Sequence, residues 1–152
     1  MNKEKKIFIE SAEYIYRAEH LTLEGTCSKD HGPRKFKIKD MLVDKYPVTN
    51  KEYFKFVEKT GYQPIDATRF LKHKTSNIQS NHPVVCVSQI DAMEYAKWVG
   101  GRLPLDEEWQ YIAAGPNYND WSWGDKFNPL YCNHDNNSLK PVDSHKNGSS
   151  WC

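Results

Sequence analysis

Paired cysteines are missing from this chain. Cys27, Cys86, Cys132 and Cys152 are scattered, and no C-x-x-C occurs. Neither a zinc ribbon nor a thioredoxin-type dithiol is therefore signalled. Long apolar runs are missing too. Ile7-Phe8-Ile9 is broken by Glu10 and Glu13, which is too short for the apolar region of a secretory leader. No stretch approaches a membrane span, so no membrane partner is expected and a cytoplasmic location is the default. Charge of one sign is also absent. The formal net charge is +1, from 21 Lys+Arg against 20 Asp+Glu. Acids and bases are interspersed, without the clustered basic face that nucleic acid requires. The lysines read as a solvated surface.

Aromatic residues, by contrast, are plentiful. Nine tyrosines, six phenylalanines and five tryptophans make up 13% of the sequence. That much ring surface supports a folded core and argues against disorder. At 152 residues there is room for one ordinary domain.

The richest stretch runs from His82 to Gly115. Val84-Val85-Cys86-Val87 has the length and β-branching of a buried strand, with Cys86 as a small apolar residue. Ser88 is a good N-cap, and Asp91 three positions on can complete a capping box. Ile90, Ala92, Met93, Tyr95, Ala96, Trp98 and Val99 then cover more than one helical face, which predicts a deeply buried helix. Gly100-Gly101 ends it. Asp106-Glu107-Glu108 places acid at the start of a second helix, with Trp109, Ile112 and Ala113 as its apolar stripe.

The wording VSQIDAMEYAKWVGGRLPLDEEWQYIAAG, followed by Trp121-Ser122-Trp123-Gly124-Asp125, resembles the formylglycine-generating enzyme (sulfatase-modifying factor) family. The family pattern reads roughly V-S-W-x-D-A-x-x-Y-A-x-W-x-G-x-R-L-P-T-E-A-E-W-E-x-A-A-R-G, then W-G-D. A second match is Pro47, Val48, Thr49, Asn50, Tyr53 and Phe56 against E-x-P-V-T-N-x-x-Y-x-x-F. The resemblance implies an α+β, loop-rich fold of C-type-lectin-like topology. It implies a single domain over 1–152, with the C-terminal part of the family domain absent. The activity implied is oxidation of a cysteine in a sulfatase-like peptide to formylglycine, using oxygen and copper.

In full-length members a G-N-V-W-E-W motif, an R-G-G-S-W segment and a reactive, copper(I)-binding cysteine pair come later. None of these occurs here, and neither Cys132 nor Cys152 lies in that cysteine context. No catalytic residue is therefore assigned and no copper ligand identified. The expectation is a family domain inactive as this chain. A non-catalytic lectin-like binding module and a truncated fragment are the alternatives. Apolar surface around Trp98, Trp109 and Trp123 is expected to be exposed and to need a partner chain.

The rest of the chain reads as follows. Lys6 to Arg17 forms two short strands by alternation. His20 to Pro33 is a loop. Arg34 to Asp44 is a strand with a break or bulge near Lys39-Asp40. Thr49 caps a helix with Glu52, so that Tyr53, Phe56 and Val57 share a face and Gly61 closes it. Asn50 is a helix-start residue. Tyr62 to Asn81 is a long irregular loop pinned by Phe70 and Leu71, with His73 solvated. Arg102 is expected buried and paired with a carboxylate. Trp121 and Trp123 pack in the core; a ligand-stacking platform is the alternative. Cys132 to Asn137 crowds oxygen donors into a turn, which suits calcium. By the resemblance Asn133 contributes to a structural calcium site, and Asp135 is a second ligand by chemistry alone. An Asx-rich turn without metal uses the same residues. Lys140 to Ser144 resembles the family's next short strand.

Overall fold

The computed structural model describes residues 5–17, 21–24, 27–30, 33–74, 80–135 and 138–152. The chain divides into two compact units. One comprises Met1–Lys45, Pro104–Phe127 and Gly148–Cys152, and the other Tyr46–Leu103 and Asn128–Asn147. Helix and sheet are both present, as an α+β class requires.

The first unit is built on an antiparallel ribbon. β1 (Lys6–Ile9) pairs with β6 (Met41–Asp44), and β2 (Ala12–Tyr16) pairs with β5 (Arg34–Ile38). Partners' residue numbers add to the same total in both pairings, so no extra residue is inserted between them. The gap at Glu10-Ser11 and Lys39-Asp40 is thus a break and not a bulge. Asp40 holds it by accepting from the Ser11 amide at 2.7 Å. The break also resets the alternation. Ile9 is buried on β1, while Tyr14 and Tyr16, of opposite parity, are buried on β2. The two halves of the ribbon can therefore turn the same side to one core. β3 (Leu21–Glu24) and β4 (Cys27–Asp30) pair in the stretch expected to be a loop. Leu21-Thr22-Leu23-Glu24 does alternate, but over only four residues, and Ser28-Lys29-Asp30 of its partner gives no apolar alternation to announce a hairpin.

Helix α4 (Asp106–Ala114) packs on β2 and β5. Ile9, Tyr14, Ile38 and Tyr111 form the buried core, and Ile7, Phe36, Met41, Tyr118 and Cys152 pack against it. Tyr14 lies stacked on Tyr118, with ring centroids 4.9 Å apart, and edge-on to Tyr111 at 5.1 Å. Such ring pairs add to the stabilisation that simple burial gives.

The second unit is helical. In α1 (Asn50–Thr60) the Thr49 side chain accepts from the Glu52 amide, and Glu52 accepts from the Thr49 amide, which is the expected box. Gly61, at φ 70°, closes the helix through a bond to the Val57 carbonyl. Tyr53, Phe56 and Phe70 are its buried rings, flanked by Val84, Val87 and Tyr95. The region from Tyr62 to Asn81 is not irregular throughout, because α2 (Ala67–Lys74) lies in it and brings Phe70 inward. The side chains of Leu71 and His73 lie outside the described residues. Val84 to Val87 forms no strand. Val84 donates to the Val48 carbonyl, Thr49 bridges Pro83, and Cys86 sits at φ 59°. A left-handed residue in mid-run breaks a strand whatever its β-branching. Lys140 to Ser144 is likewise a turn, tied down by the Val142 amide donating to the Asn81 carbonyl.

Candidate functional site

The deepest polar group of the second unit is Asp91, on α3 (Gln89–Trp98). Ser88 forms the expected reciprocal box with it. The Ser88 hydroxyl accepts from the Asp91 amide, and Asp91 accepts from the Ser88 amide at 2.7 Å and hydroxyl at 2.8 Å. The other carboxylate oxygen accepts from the Tyr62 hydroxyl at 2.8 Å and the Ile65 amide at 3.1 Å. One carboxylate thus closes a helix start and anchors the segment that leads into α2. Burial alone would raise its pKa, but the donors from Ser88, Tyr62 and Ile65 outweigh burial and hold it below the ordinary range. Tyr62 moves the other way. Burial, then its hydrogen bond to Asp91, push its phenol up to about 12. Burial and the nearby Asp91 charge also raise Tyr53. Asp91 is thus held as the carboxylate and Tyr62 and Tyr53 as neutral phenols, the forms in which the Tyr62 hydrogen bond to Asp91 is made.

In the first unit, polar side chains meet at the β2 edge and on α4. Gln110 accepts from the Arg17 amide at 2.9 Å and donates back to the Arg17 carbonyl. The Tyr118 hydroxyl accepts from the Ile15 amide at 3.1 Å. The Arg17 guanidinium lies 4.2 Å from the Tyr118 ring centroid. Arg34 pairs with Glu107 and covers Tyr16. Glu107 is buried; burial pushes its pKa up, but the hydrogen bond and charge of Arg34 and a backbone hydrogen bond together outweigh burial and hold it below the ordinary value. Arg17, Arg34, Gln110 and Tyr118 did not stand out in the sequence, and Glu107 did so only as first-turn acid, because each role is set by a partner far along the chain.

Several expected placements change. α4 turns Glu107, Glu108 and Tyr111 inward and leaves Trp109 64% exposed, so the apolar stripe is not the buried face. Glu108 faces inward because it accepts from the Leu105 amide at the helix start. α3 is not buried all round, since Asp91 and Ala96 are inside while Ile90, Met93, Trp98 and Val99 are exposed. Arg102 is exposed and donates to the Leu103 carbonyl, so it is not a buried charge. Trp121 and Trp123 stack on each other at 5.7 Å, with Phe127 4.9 Å from Trp121. They form a local aromatic turn, with Trp121 41% exposed and Trp123 half-buried, and are no part of the buried core clusters. Of the three rings expected to be exposed, Trp98 and Trp109 are, and Trp123 is half-buried. Asn50 opens α1, fully buried, and its amide donates to the His82 carbonyl.

At the candidate metal turn, the Asn133 amide group donates to the Ser138 carbonyl at 3.0 Å. Asp135 adopts φ 50°, and its carboxylate is 91% exposed, 3.4 Å from the His134 ring. Asn136 and Asn137 lie outside the described residues. Among the described residues no group of three His, Cys, Asp or Glu could hold a metal ion. Cys86, Cys132 and Cys152 are free thiols. The Cys27 side chain lies outside the described residues. No helix among the described residues is long and apolar enough to cross a membrane.

The two boxed helix starts fall within the two stretches that resemble one family. The family model described as the sulfatase-modifying factor enzyme 1-like domain matches residues 2–150, and the chain belongs to that family. An uncharacterized Bacillus subtilis protein, YfmG, is 36% identical over 112 residues, covering 66% of this chain and 23% of that protein. A formylglycine-generating enzyme of Mycobacterium tuberculosis is 28% identical over 140 residues, covering 60% and 47%. An inactive Cα-formylglycine-generating enzyme 2 of Bos taurus is 31% identical over 151 residues, covering 69% and 50%. The chain thus spans half or less of the length of these relatives.

Proposed function

We infer that the chain supplies scaffold for a formylglycine-generating-type domain of C-type-lectin-like topology, and that these 152 residues do not themselves oxidise cysteine. The observation that carries this reading is a contrast. The two family helix starts, Thr49 with Glu52 and Ser88 with Asp91, are closed by full capping boxes. The four cysteines, in contrast, are scattered along the sequence at Cys27, Cys86, Cys132 and Cys152, with no two close together in it. The reaction in view turns a peptide cysteine into an aldehyde, with oxygen as the oxidant. Copper(I) would supply the oxygen chemistry. A soft cuprous ion needs converging thiolates, and we read Cys86, Cys132 and Cys152 as unsuited to that task. An anaerobic copper(I) titration tests this reading. Expected is no stoichiometric complex; tight binding abolished by alkylating the thiols would overturn it.

The partner in this reading is a cysteine-containing sulfatase-like peptide. The exposed rings of Trp98 and Trp109 also fit a covering partner chain. Nucleic acid and membrane are not among its partners, and its location is cytoplasmic. Calcium at Asn133 and Asp135 belongs to the same reading, as a clip for the turn. It expects the melting temperature to rise with added calcium and the rise to vanish in the Asn133→Ala, Asp135→Ala double variant. No rise would leave a plain Asx-rich turn.

A second reading has a specific support. The Bos taurus relative is named inactive, so a non-catalytic binding module is compatible with this family. Saturable binding of a sulfatase-like peptide without its conversion would favour it.

A further inference from the structure

One edge of the β2–β5 ribbon is sealed and the other is open. On β2 the amides of Ile15 and Arg17 donate to Tyr118 and Gln110, so both point away from β5. In an antiparallel ladder, opposed residues either exchange both main-chain bonds or turn both sets of groups outward. Ile15 stands opposite Lys35, and Glu13 opposite Lys37. The main-chain groups of Lys35 and Lys37 therefore point outward from the far edge. Among the described residues, no hydrogen bond seals that edge as Tyr118 and Gln110 seal the other. An open edge of this kind is a template for another strand.

The side chains along it restrict what that strand can be. Phe36 and Ile38 turn toward the core, and Ile38 is fully buried. Lys35, Lys37 and Lys39 alternate with them and are all exposed. None of the three enters an ion pair among the described residues. Glu13 is the one carboxylate paired across the ladder from this row. A row of like charges at every second position repels basic segments and penalises apolar ones.

We propose that the β5 edge is a docking strip for an acidic, extended segment of a partner protein, which adds to the ribbon as a further strand. The main-chain groups of Lys35 and Lys37 supply the hydrogen bonds, and carboxylates at alternate positions of the partner meet the lysine ammonium groups. Strand addition divides the work in this way, with backbone for affinity and alternate side chains for selection. The proposal concerns a surface of the first unit alone and does not depend on whether the chain oxidises cysteine.

The test uses the full chain and a short fluorescent peptide alternating Glu and Val. Saturable binding is expected, with slowed hydrogen exchange at the amides of Lys35 and Lys37. Methylating the peptide's pairing amides keeps its charge but blocks the ladder, and should weaken binding about tenfold or more. The double variant Lys35→Glu, Lys37→Glu should lose the acidic peptide and gain its Lys-Val counterpart. The methylated peptide is tested on unaltered protein, so the proposal stays falsifiable even if that variant fails to fold. Equal binding of the methylated peptide, equal competition by a short oligonucleotide, or no saturation would each overturn it. The first two would leave only a patch that attracts polyanions.

Discussion

The Tyr62 hydroxyl donates to Asp91 Oδ1 at 2.8 Å, joining the residue that follows the Gly61 end of α1 to the first turn of α3. Asp91 is fully buried, and it accepts from Ser88 and Ile65 as well. Hydrogen bonds to a charged group contribute about 1.5–3 kcal/mol each, and donors left unsatisfied cost more. Asp91→Ala is therefore expected to cost about 3 kcal/mol or more, measured as the shift in a urea unfolding midpoint.

The same carboxylate sets the acid limit. Its folded pKa lies below the ordinary value, so its contribution is present above that value and is lost as pH falls through the folded one. Unfolding free energy should fall steadily as pH drops below about 4, and this limb should be much shallower in Asp91→Asn. A limb of equal steepness in that variant would show that other carboxylates set it.

An alkaline limit follows with the opposite sign. Burial and the bond to Asp91 push Tyr62 up to about 12, above its unfolded value. Its contribution is present below the unfolded value and is lost as pH rises through the folded one. Stability should decline above about pH 10. Tyr62→Phe should shrink this decline without removing it, because Tyr53, Tyr14 and Tyr111 are raised by burial as well.

Gly115 closes α4 at φ 71°, and a Cβ there would stand 2.7 Å from the Trp151 ring. That ring also donates its Nε1 hydrogen to the Tyr111 carbonyl at 3.1 Å. Gly115 has ψ −179°, a region that is nearly glycine-only, so Gly115→Ala must strain the backbone by about 1–3 kcal/mol and push the indole aside. A lower melting temperature with altered tryptophan emission is expected. A drop in stability with unchanged emission would mean that Trp151 is not seated there.

Exposure separates two apolar residues that look equally important in sequence. Trp109 is 64% exposed and Ile38 is fully buried. Trp109→Ala is expected to change stability by no more than about 0.5 kcal/mol, whereas Ile38→Ala should cost about 2–5 kcal/mol. Denaturant melts of both variants check the ranking.

What could be read in advance was local. Thr49 with Glu52 and Ser88 with Asp91 declare their boxes within four residues, and Gly61 and Gly100 mark helix ends by backbone freedom alone. The break at Lys39-Asp40 was legible because the alternation stops there. Orientation was not legible. Whether Trp109 or Tyr111 of α4 faces the ribbon depends on Tyr14 and Trp151, far away in sequence. The β3–β4 pairing was missed because the alternation of Leu21 and Leu23 is only four residues long and β4 is polar, and α2 because its eight residues are mostly polar. The seal at the β2 edge was missed for a related reason, since Gln110 and Tyr118 acquire their roles only when α4 docks. At the candidate turn Asn133 came from the family resemblance and Asp135 from local chemistry alone, and oxygen-rich residues suit an Asx turn as well as a cation.

The most direct test is to incubate the folded chain aerobically with added copper and a sulfatase-type cysteine peptide and follow the peptide by mass spectrometry. The account expects the cysteine to remain a thiol or a simple disulfide, with no aldehyde that an oxyamine reagent can trap. An oxygen-dependent aldehyde formed in repeated turnovers would contradict it and place the oxidising site within these 152 residues.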